Sequence, residues 1–348
     1  MKRQDTIDNF IDDALAAARD DAHAVAPADA LSALADCTLC GRLCHVDRLH
    51  GESGYCGQTA TLRAARAALH FWEEPCISGT GGSGAVFFSG CSMRCVFCQN
   101  HDIALGTRGM EISSERLSEI FLELQAQGAH NINLVTPTHF IPQIVIALTR
   151  AKSQGLTLPI VYNTGSLETI DALKMLDGLI DVYLPDLKYY SPEISTRYAN
   201  APHYFTQATA AIAEMYRQVG APKFVPLPGS DGAEHSGSDD ADLSESGLMQ
   251  RGMIVRHLLL PGCSEDSKQI LRYLYETYHD RIYISIMNQY TPLSIPPEFP
   301  ELTRKVRRKE YDKIVDYAIL LGIEQAFIQD GETAKESFIP EFGFQGLL

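Results

Sequence analysis

The sequence has no apolar run that approaches the roughly 20 residues a transmembrane helix needs. Basic residues are also scarce, because 29 Lys and Arg stand against 44 Asp and Glu and give a formal net charge of −15. This balance argues against a general nucleic-acid binder and against docking on anionic lipid. The first residues, MKRQDTIDNFIDD, turn acidic at once and lack the apolar core of a signal peptide. We therefore expect a cytoplasmic protein without a membrane or a nucleic acid among its partners.

Cysteine is absent from a long central stretch, between Gln99 and Gly262, although the chain has nine cysteines. This gap disfavours a disulfide scaffold spread along the chain, and disulfides are uncommon in the cytoplasm. The cysteines instead form two tight groups, which is typical of metal or cluster ligation. The first group is Cys37, Cys40, Cys44 and Cys56, the second is Cys91, Cys95 and Cys98, and Cys76 and Cys263 stand alone.

Apolar runs of strand length alternate with segments of helical periodicity along most of the chain. This alternation predicts an α/β protein with a parallel sheet covered by helices. Six strand–helix units fit a partial (β/α)6 TIM-like barrel or an open doubly wound sheet, with the chemistry at the carboxyl ends of the strands. The AFIQD sequence near the end is a candidate for one more edge strand. The predicted strands cover residues 85–89, 132–136, 159–164, 179–188, 253–260 and 281–287.

Four segments are expected along the chain. Helical spacing of apolar residues over 6–35 predicts an N-terminal helix within 1–36, and a glycine-rich, cysteine-rich metal-binding segment follows over 37–84. The barrel is expected over 85–300, and a C-terminal helix and tail over 301–348. Residues 228–250 are polar, acidic and rich in Gly and Ser, which predicts a flexible insertion before the fifth strand.

The FFSGCSMRCVFCQN stretch places three cysteines, Cys91, Cys95 and Cys98, in the loop that leaves the first predicted strand. A [4Fe–4S] cluster has four irons, so three cysteines leave one iron without a protein ligand. Catalytic metal sites keep such an open position, whereas structural sites close it. The alternative is a zinc site with a distant fourth ligand.

This three-cysteine motif at the first of six β/α units resembles the signature of radical S-adenosylmethionine (SAM) enzymes. The CQN ending, NLVTPTHF, YLPDLKY and ISIMNQYTP resemble the pyruvate formate-lyase activating enzyme-like iron–sulfur proteins, and the likeness covers roughly residues 37–320. It implies that the three cysteines hold a [4Fe–4S] cluster whose fourth iron is chelated by SAM. It also implies an oxidoreductase that cleaves SAM reductively to a 5′-deoxyadenosyl radical, which abstracts hydrogen from a substrate.

The substrate is not named by the sequence. Activation of a glycyl-radical enzyme competes with modification of another protein, a peptide or a small molecule, and a flavodoxin or ferredoxin is the expected reductant. A hypothesis of another class is a non-catalytic iron–sulfur protein that carries electrons or senses redox state. Only the enzyme would form 5′-deoxyadenosine from SAM and a reductant.

The resemblance also implies a set of SAM-binding residues. Phe97 matches the aromatic position that lies against the adenine, and Gln289 closes the strand that often holds the ribose. Many relatives end strand two with a Gly-Gly-Glu sequence that holds the SAM amino group, whereas this chain has TPTH there. The hydroxyl of Thr138, a backbone carbonyl or His139 would then hold the amino group. The alternative is a simple turn ordered by the proline. Asp186 and Lys188 are two positions apart, so they share one face of an extended segment. They would either contact SAM or form a plain ion pair. In the activating-enzyme branch Asn163, Thr164 and Asp186 match residues near SAM and near a monovalent cation.

Arg256 and His257 interrupt an otherwise apolar strand. Since neighbours in a strand face opposite ways, one of them should point into the barrel, where Arg256 would meet the SAM carboxylate. A structural ion pair is the alternative for Arg256. Cys263 follows the same strand, and we expect both Cys263 and Cys76 to be ordinary small residues. The alternative for Cys263 is a role as a donor of a proton or a hydrogen atom.

The N-terminal group, Cys37-x2-Cys40-x3-Cys44-x11-Cys56, supplies four thiolates within a turn-rich loop. Zinc and a second iron–sulfur cluster both fit four thiolates, and free thiols are the further alternative. We favour structural zinc, which would stabilise a segment with few apolar residues.

Overall fold

A computed structural model describes residues 27–227, 247–329 and 340–348. Its strands form one sheet in the order β10-β9-β8-β6-β5-β4-β2-β1-β3, with β7 paired to β8. The strands are β1 (Arg63–His70), β2 (Ser83–Phe88), β3 (Met110–Glu111), β4 (Ile132–Val135), β5 (Ile160–Thr164), β6 (Val182–Pro185), β7 (Lys223–Pro226), β8 (Gly247–Leu258), β9 (Tyr283–Met287) and β10 (Ala326–Ile328).

The centre of the sheet is parallel, from β2 through β4, β5, β6, β8 and β9 to β10. It does not close, because β10 ends one side and β3 the other. The predicted α/β class with an open, partial-barrel arrangement is confirmed. All six predicted strands are present, and the AFIQD sequence forms the edge strand β10, parallel to β9.

Helices connect and cover these strands. Their bounds are α1 (Pro27–Ala30), α2 (Pro75–Ser78), α3 (His101–Ala104), α4 (Ser114–Ala126), α5 (Ile141–Ser153), α6 (Ile170–Lys174), α7 (Pro192–Ala199), α8 (Tyr204–Val219), α9 (Ser264–Tyr278) and α10 (Arg308–Leu321). The longer ones are amphipathic; α4, for example, is capped by the Ser113 hydroxyl and buries Leu117, Ile120, Phe121 and Leu124. Burying each such side chain contributes about 1.5–3 kcal/mol, so the layer of helices holds the sheet in place.

Three strands were not predicted: β7, which pairs antiparallel with β8, and β1 and β3 at the other edge of the sheet. β1 pairs antiparallel with β2, and β3 pairs antiparallel with the beginning of β1. The C-terminal segment 340–348 pairs beside β1 as well: the Phe344 N–H donates to the Ala65 carbonyl, and the Gln345 carbonyl accepts from the Ala67 N–H. The predicted cysteine-rich segment 37–84 therefore includes a strand of the main sheet.

The predicted acidic insertion is shorter than expected. Residues 247–250 belong to β8, where Met249 pairs with Phe224 and Gly247 with Pro226 of β7. The rest of the insertion, 228–246, lies outside the described residues. Most of the predicted N-terminal helix lies outside them too; its described end is α1 and a 3₁₀ turn, Leu31–Leu34. Among the described residues, no helix combines the length and apolar character needed to span a membrane.

Candidate active site at the carboxyl ends of the parallel strands

The three-cysteine loop begins immediately after β2. Gly90 has φ +92°, and a Cβ at this position would lie 2.8 Å from the carbonyl oxygen of Cys56, so only glycine fits here. Beyond this turn the Met93 N–H lies 3.3 Å from Cys91 Sγ, and the Cys98 N–H donates to the Cys95 carbonyl. As a result Cys91, Cys95 and Cys98 line the wall of one cavity of about 250 Å³.

The thiols in this wall are poorly solvated. Burial raises the pKa of Cys98 to about 12, and the nearby Cys91 and Cys95 add to the rise. Burial also raises the pKa of Cys95, although the Lys188 ammonium opposes it. Three crowded thiols of this kind become thiolates when a cationic metal centre binds them. The donor set therefore fits an iron–sulfur cluster.

Nearly all other predicted SAM-site residues line the same cavity. They come from the ends of different strands, because the carboxyl ends of parallel strands meet at one edge of the sheet. His139 is the exception. The residues that the structure brings together are Phe97, Thr138, Asn163, Thr164, Asp186, Lys188, Arg256 and Gln289.

His139 instead lies behind the cavity wall. Its side chain is buried, and its Nε2 lies 2.6 Å from the carbonyl oxygen of Ser89, just before the cysteine loop. Burial lowers the pKa of His139 to about 3, so the imidazole is neutral and Nε2–H is the donor. Of the adjacent residues Thr138 and His139, only Thr138 lines the cavity.

Arg256 forms the centre of the polar wall. Its Nε donates to Asp186 (3.0 Å), its Nη1 to Glu73 (3.1 Å) and its Nη2 to the Asn163 side chain. His257, the next residue, points the other way, is buried, and has Nδ1 2.8 Å from the Leu187 carbonyl. Of these two neighbours, Arg256 is the one that lines the cavity, and its contact with the SAM carboxylate stays a prediction.

Asp186 is shared by two cations. Its second carboxylate oxygen lies 2.5 Å from Lys188 Nζ, so the pair predicted to share a face is in direct contact. Burial alone would raise the pKa of Asp186, but the charges of Arg256 and Lys188 outweigh it and lower the pKa. Both oxygens of the carboxylate are thus already paired with side-chain cations, and the predicted monovalent cation stays a prediction.

Glu73 is the main polar residue that sequence reasoning missed. It follows β1, and its carboxylate accepts hydrogen bonds from Arg256, from Asn163 (3.3 Å) and from Asn133 (3.0 Å). Its neighbour Trp72 lines the cavity too. The signal in the sequence is FWEEP, two aromatic residues followed by two carboxylates, which is an unusual group for a segment assigned to a metal-binding loop.

Glu168 supports the cavity from behind. One of its oxygens accepts hydrogen bonds from the hydroxyls of Thr138, Thr164 and Tyr162, while no polar partner of the other is found among the described residues. Burial raises the pKa of this carboxyl, against the effect of the hydroxyl donors. The side chain therefore fixes the orientation of two cavity-lining threonines that end neighbouring strands.

The four N-terminal cysteines lie in a loop that packs on this site. The Cys40 backbone forms a bridge to Glu168, and the Arg42 side chain donates to the Ser92 carbonyl (2.8 Å) between the first two cavity cysteines. Cys76 is buried in α2, and Cys263 is half-buried before α9; neither lines the cavity.

The comparison with protein families bears directly on this cavity. Residues 85–231, which begin in β2 and include the three-cysteine loop, match the model of the radical SAM superfamily. The chain contains a radical SAM domain. The resemblance to radical SAM enzymes that was stated from the sequence is confirmed for this domain. Besides the three cysteines, eight predicted residues line the cavity, and six of them lie within residues 85–231.

The similar proteins that the comparisons found share little sequence with the chain. The uncharacterized protein MJ0674 of Methanocaldococcus jannaschii is 23% identical over 296 residues, 81% of this chain and 74% of that protein. SuiB of Streptococcus suis, solved with its precursor peptide SuiA, is 11% identical over 69% of this chain and 46% of its own, with a TM-score of 0.42. A radical SAM methyltransferase from Sphaerobacter thermophilus is 13% identical over 70% of this chain and 65% of its own, with a TM-score of 0.44. This chain spans less than two thirds of either solved chain.

Proposed function

We propose that the protein is a radical SAM enzyme that cleaves SAM reductively and abstracts hydrogen from a substrate. One observation carries the proposal: three cysteines of one short loop, Cys91, Cys95 and Cys98, share one cavity with a charged and amide-rich wall. Cys91, Cys95 and Cys98 would hold a [4Fe–4S] cluster. When bound, this cluster supplies the electron that converts SAM to methionine and a 5′-deoxyadenosyl radical.

The chain's own residues bind and orient SAM in this proposal. The guanidinium of Arg256 presents a planar fork of donors to the SAM carboxylate. Glu73 and Asp186 offset the positive charges of Arg256 and Lys188 in this wall, so SAM, whose sulfonium and ammonium outweigh its carboxylate, meets no net positive charge from these four groups. Gln289 and Asn163 provide amide groups for the ribose and the amino acid part. Phe97, held edge-to-face by Tyr198 and Tyr290, gives the adenine an apolar neighbour.

We further propose that the substrate reaches the cavity through a second opening beside Cys98. A groove of about 520 Å³ shares Cys98, Gln99 and Pro340 with the first cavity. An open groove of this size accepts an extended peptide segment. A groove of this volume also lies in the range of small-molecule pockets, so a glycyl-radical protein, another peptide and a small molecule all remain candidate substrates.

The proposal includes a one-electron donor of the flavodoxin or ferredoxin class and a cytoplasmic location. All nine cysteines are free, which fits a reducing compartment. The alternative, an iron–sulfur protein that only carries electrons or senses redox state, requires no site for SAM.

The deciding experiment is anaerobic. The protein is reconstituted with iron and sulfide, mixed with SAM and dithionite, and assayed for 5′-deoxyadenosine. We expect its formation by the wild type and its loss in Cys95→Ala, with Cys76→Ala as the matched control that keeps it. If reconstituted wild type binds no SAM and forms no 5′-deoxyadenosine, the electron-carrier alternative replaces the enzyme.

A further inference from the structure

One arginine of the N-terminal cysteine loop, residues 37–58, holds the three-cysteine loop of the cavity. Arg42 Nε donates to the Ser92 carbonyl at 2.8 Å, and Arg42 Nη2 lies 3.5 Å from the Met93 carbonyl. Both carbonyls belong to the segment between the first two cysteines of the three-cysteine loop. Because the guanidinium is planar and its donors are fixed relative to one another, these contacts restrict how that segment can turn.

The same guanidinium reaches the end of helix α7. Its Nη2 donates to the Ala199 carbonyl at 2.7 Å, and its Nη1 donates to the Asn200 carbonyl. The last carbonyls of a helix lack partners within the helix, and a cation near them is favourable. The Val96 N–H of the three-cysteine loop donates to the Tyr198 carbonyl at the same helix end, at 2.9 Å. Arg42 therefore joins the N-terminal cysteine loop, the three-cysteine loop and α7 at one place.

Two guanidinium groups lie over the ring of Tyr55, in the N-terminal cysteine loop. That of Arg42 is 3.8 Å from the ring centre, and that of Arg94 is 5.5 Å from it. Arg94 belongs to the three-cysteine loop, directly before Cys95, and has φ +48°. This left-handed conformation is costly for a residue with a side chain and persists where the surroundings hold it. The ring of Tyr55 supplies one such contact, through the attraction between a cation and an aromatic face.

We propose that Arg42 and Tyr55 position the cluster ligands Cys91, Cys95 and Cys98, a role that rests on the proposed function. Neither of the two side chains lines the cavity, so both act through the backbone of the three-cysteine loop. They fix the turn on which the three sulfurs are presented, and with it the access of SAM to the site. The zinc predicted at the four N-terminal cysteines stays a prediction.

The test compares Arg42→Lys with the wild type, as full-length chains reconstituted anaerobically with iron and sulfide. Lysine keeps the charge but loses the fork of donors that contacts four carbonyls. We expect amide hydrogen exchange in residues 91–98 to become about tenfold faster, and the Kd of SAM to rise about tenfold. Arg251→Lys is the matched control: this arginine donates to the carbonyls of Val219 and Gln218, and its replacement should change neither quantity.

Tyr55 gives a second, independent comparison. Tyr55→Leu removes the aromatic face and should speed exchange in residues 91–98, whereas Tyr55→Phe keeps the ring and should restore the slow exchange. Electron paramagnetic resonance of the reduced cluster, recorded with and without SAM, adds a spectroscopic signature. We expect the spectrum of Arg42→Lys to respond to SAM only at higher SAM concentration than that of the wild type.

Unchanged exchange in residues 91–98 of Arg42→Lys, or an unchanged Kd, overturns the proposal. Faster exchange spread evenly over the chain, with a lower unfolding temperature, also overturns it, because that result indicates a general loss of stability. If a variant holds no cluster, exchange in the metal-free chains decides, since these contacts belong to the polypeptide alone. Wild type that binds no SAM and forms no 5′-deoxyadenosine refutes the proposed function instead, so the two failures are distinguishable.

Discussion

The hydroxyl of Tyr189 donates a hydrogen bond to the sulfur of Cys95, with 3.3 Å between oxygen and sulfur. Tyr189 is fully buried, and its ring packs edge-to-face on Phe97 and Tyr204. The bond joins the loop after β6 to the cysteine loop after β2, across 94 positions of the chain. Hydrogen bonds to ligating sulfurs stabilise the more negative, reduced state of an iron–sulfur cluster, so this contact bears on the reduction potential.

We therefore expect Tyr189→Phe to make the cavity cluster harder to reduce. Loss of one hydrogen bond worth about 1 kcal/mol corresponds to a potential lower by about 40 mV for one electron. A redox titration followed by electron paramagnetic resonance measures the shift. Tyr190→Phe is the matched control, because this adjacent tyrosine is exposed and its ring packs on Phe205. An unchanged potential in Tyr189→Phe would contradict the assignment.

Arg256→Lys should weaken SAM binding by about tenfold, or about 1.4 kcal/mol. The substitution keeps the positive charge but loses the fork that now reaches Asp186, Glu73 and Asn163 at once. Equilibrium dialysis with the reconstituted protein measures the Kd. Arg251→Lys, the same change in the same strand but directed at the Val219 and Gln218 carbonyls, should leave the Kd unchanged. Equal effects of the two variants would remove Arg256 from the SAM site.

Glu73 and Glu74 are adjacent carboxyls that should respond differently to the same change. Glu73→Gln removes a negative charge from the cavity wall, so we expect binding of the cationic SAM to weaken by about tenfold. Glu74 is buried and, unlike Glu73, does not line the cavity, so Glu74→Gln should alter the Kd by less than about twofold. Isothermal titration calorimetry on both variants makes the comparison. A larger effect at Glu74 would show that the wrong carboxyl has been assigned to the site.

The grouping of side chains at the carboxyl ends of the strands was predictable because it follows from two simple rules. Parallel strands bring their carboxyl ends to one edge, and alternate residues of an extended segment face the same way. Those rules are enough to gather Asn163, Thr164, Asp186 and Lys188 around the three-cysteine loop. They also predict that only one of the neighbours Arg256 and His257 points into the barrel.

The positions of Glu73 and His139 could not be predicted from those two rules. Glu73 follows β1, whose sequence RAARAALH lacks the β-branched residues of a typical strand and pairs with β2 because of its tertiary surroundings. His139 and Thr138 lie in a 3₁₀ turn, and its orientation depends on contacts with distant residues, namely Ser89 and Glu168. Neither contact has a local signature in the sequence.

His257 predicts how stability depends on pH. Burial lowers the pKa of His257 to about 4 from 6.5, so the folded protein holds the imidazole neutral while the unfolded chain takes up a proton below pH 6.5. The unfolded state then binds more protons than the folded state, and the free energy of unfolding falls as the pH is lowered through this window. For this one group the loss between pH 7.5 and pH 5.5 is about 1.4 kcal/mol.

His257→Asn should remove that part of the pH dependence, because an Asn amide can still donate to the Leu187 carbonyl but does not titrate. Urea unfolding followed by circular dichroism at the two pH values gives the difference between wild type and variant. His101→Asn is the control, since the His101 side chain is 53% exposed and should not change the slope. Wild type and His257→Asn would lose equal stability on acidification if His257 were protonated in the folded state, and that result would contradict the buried, neutral imidazole.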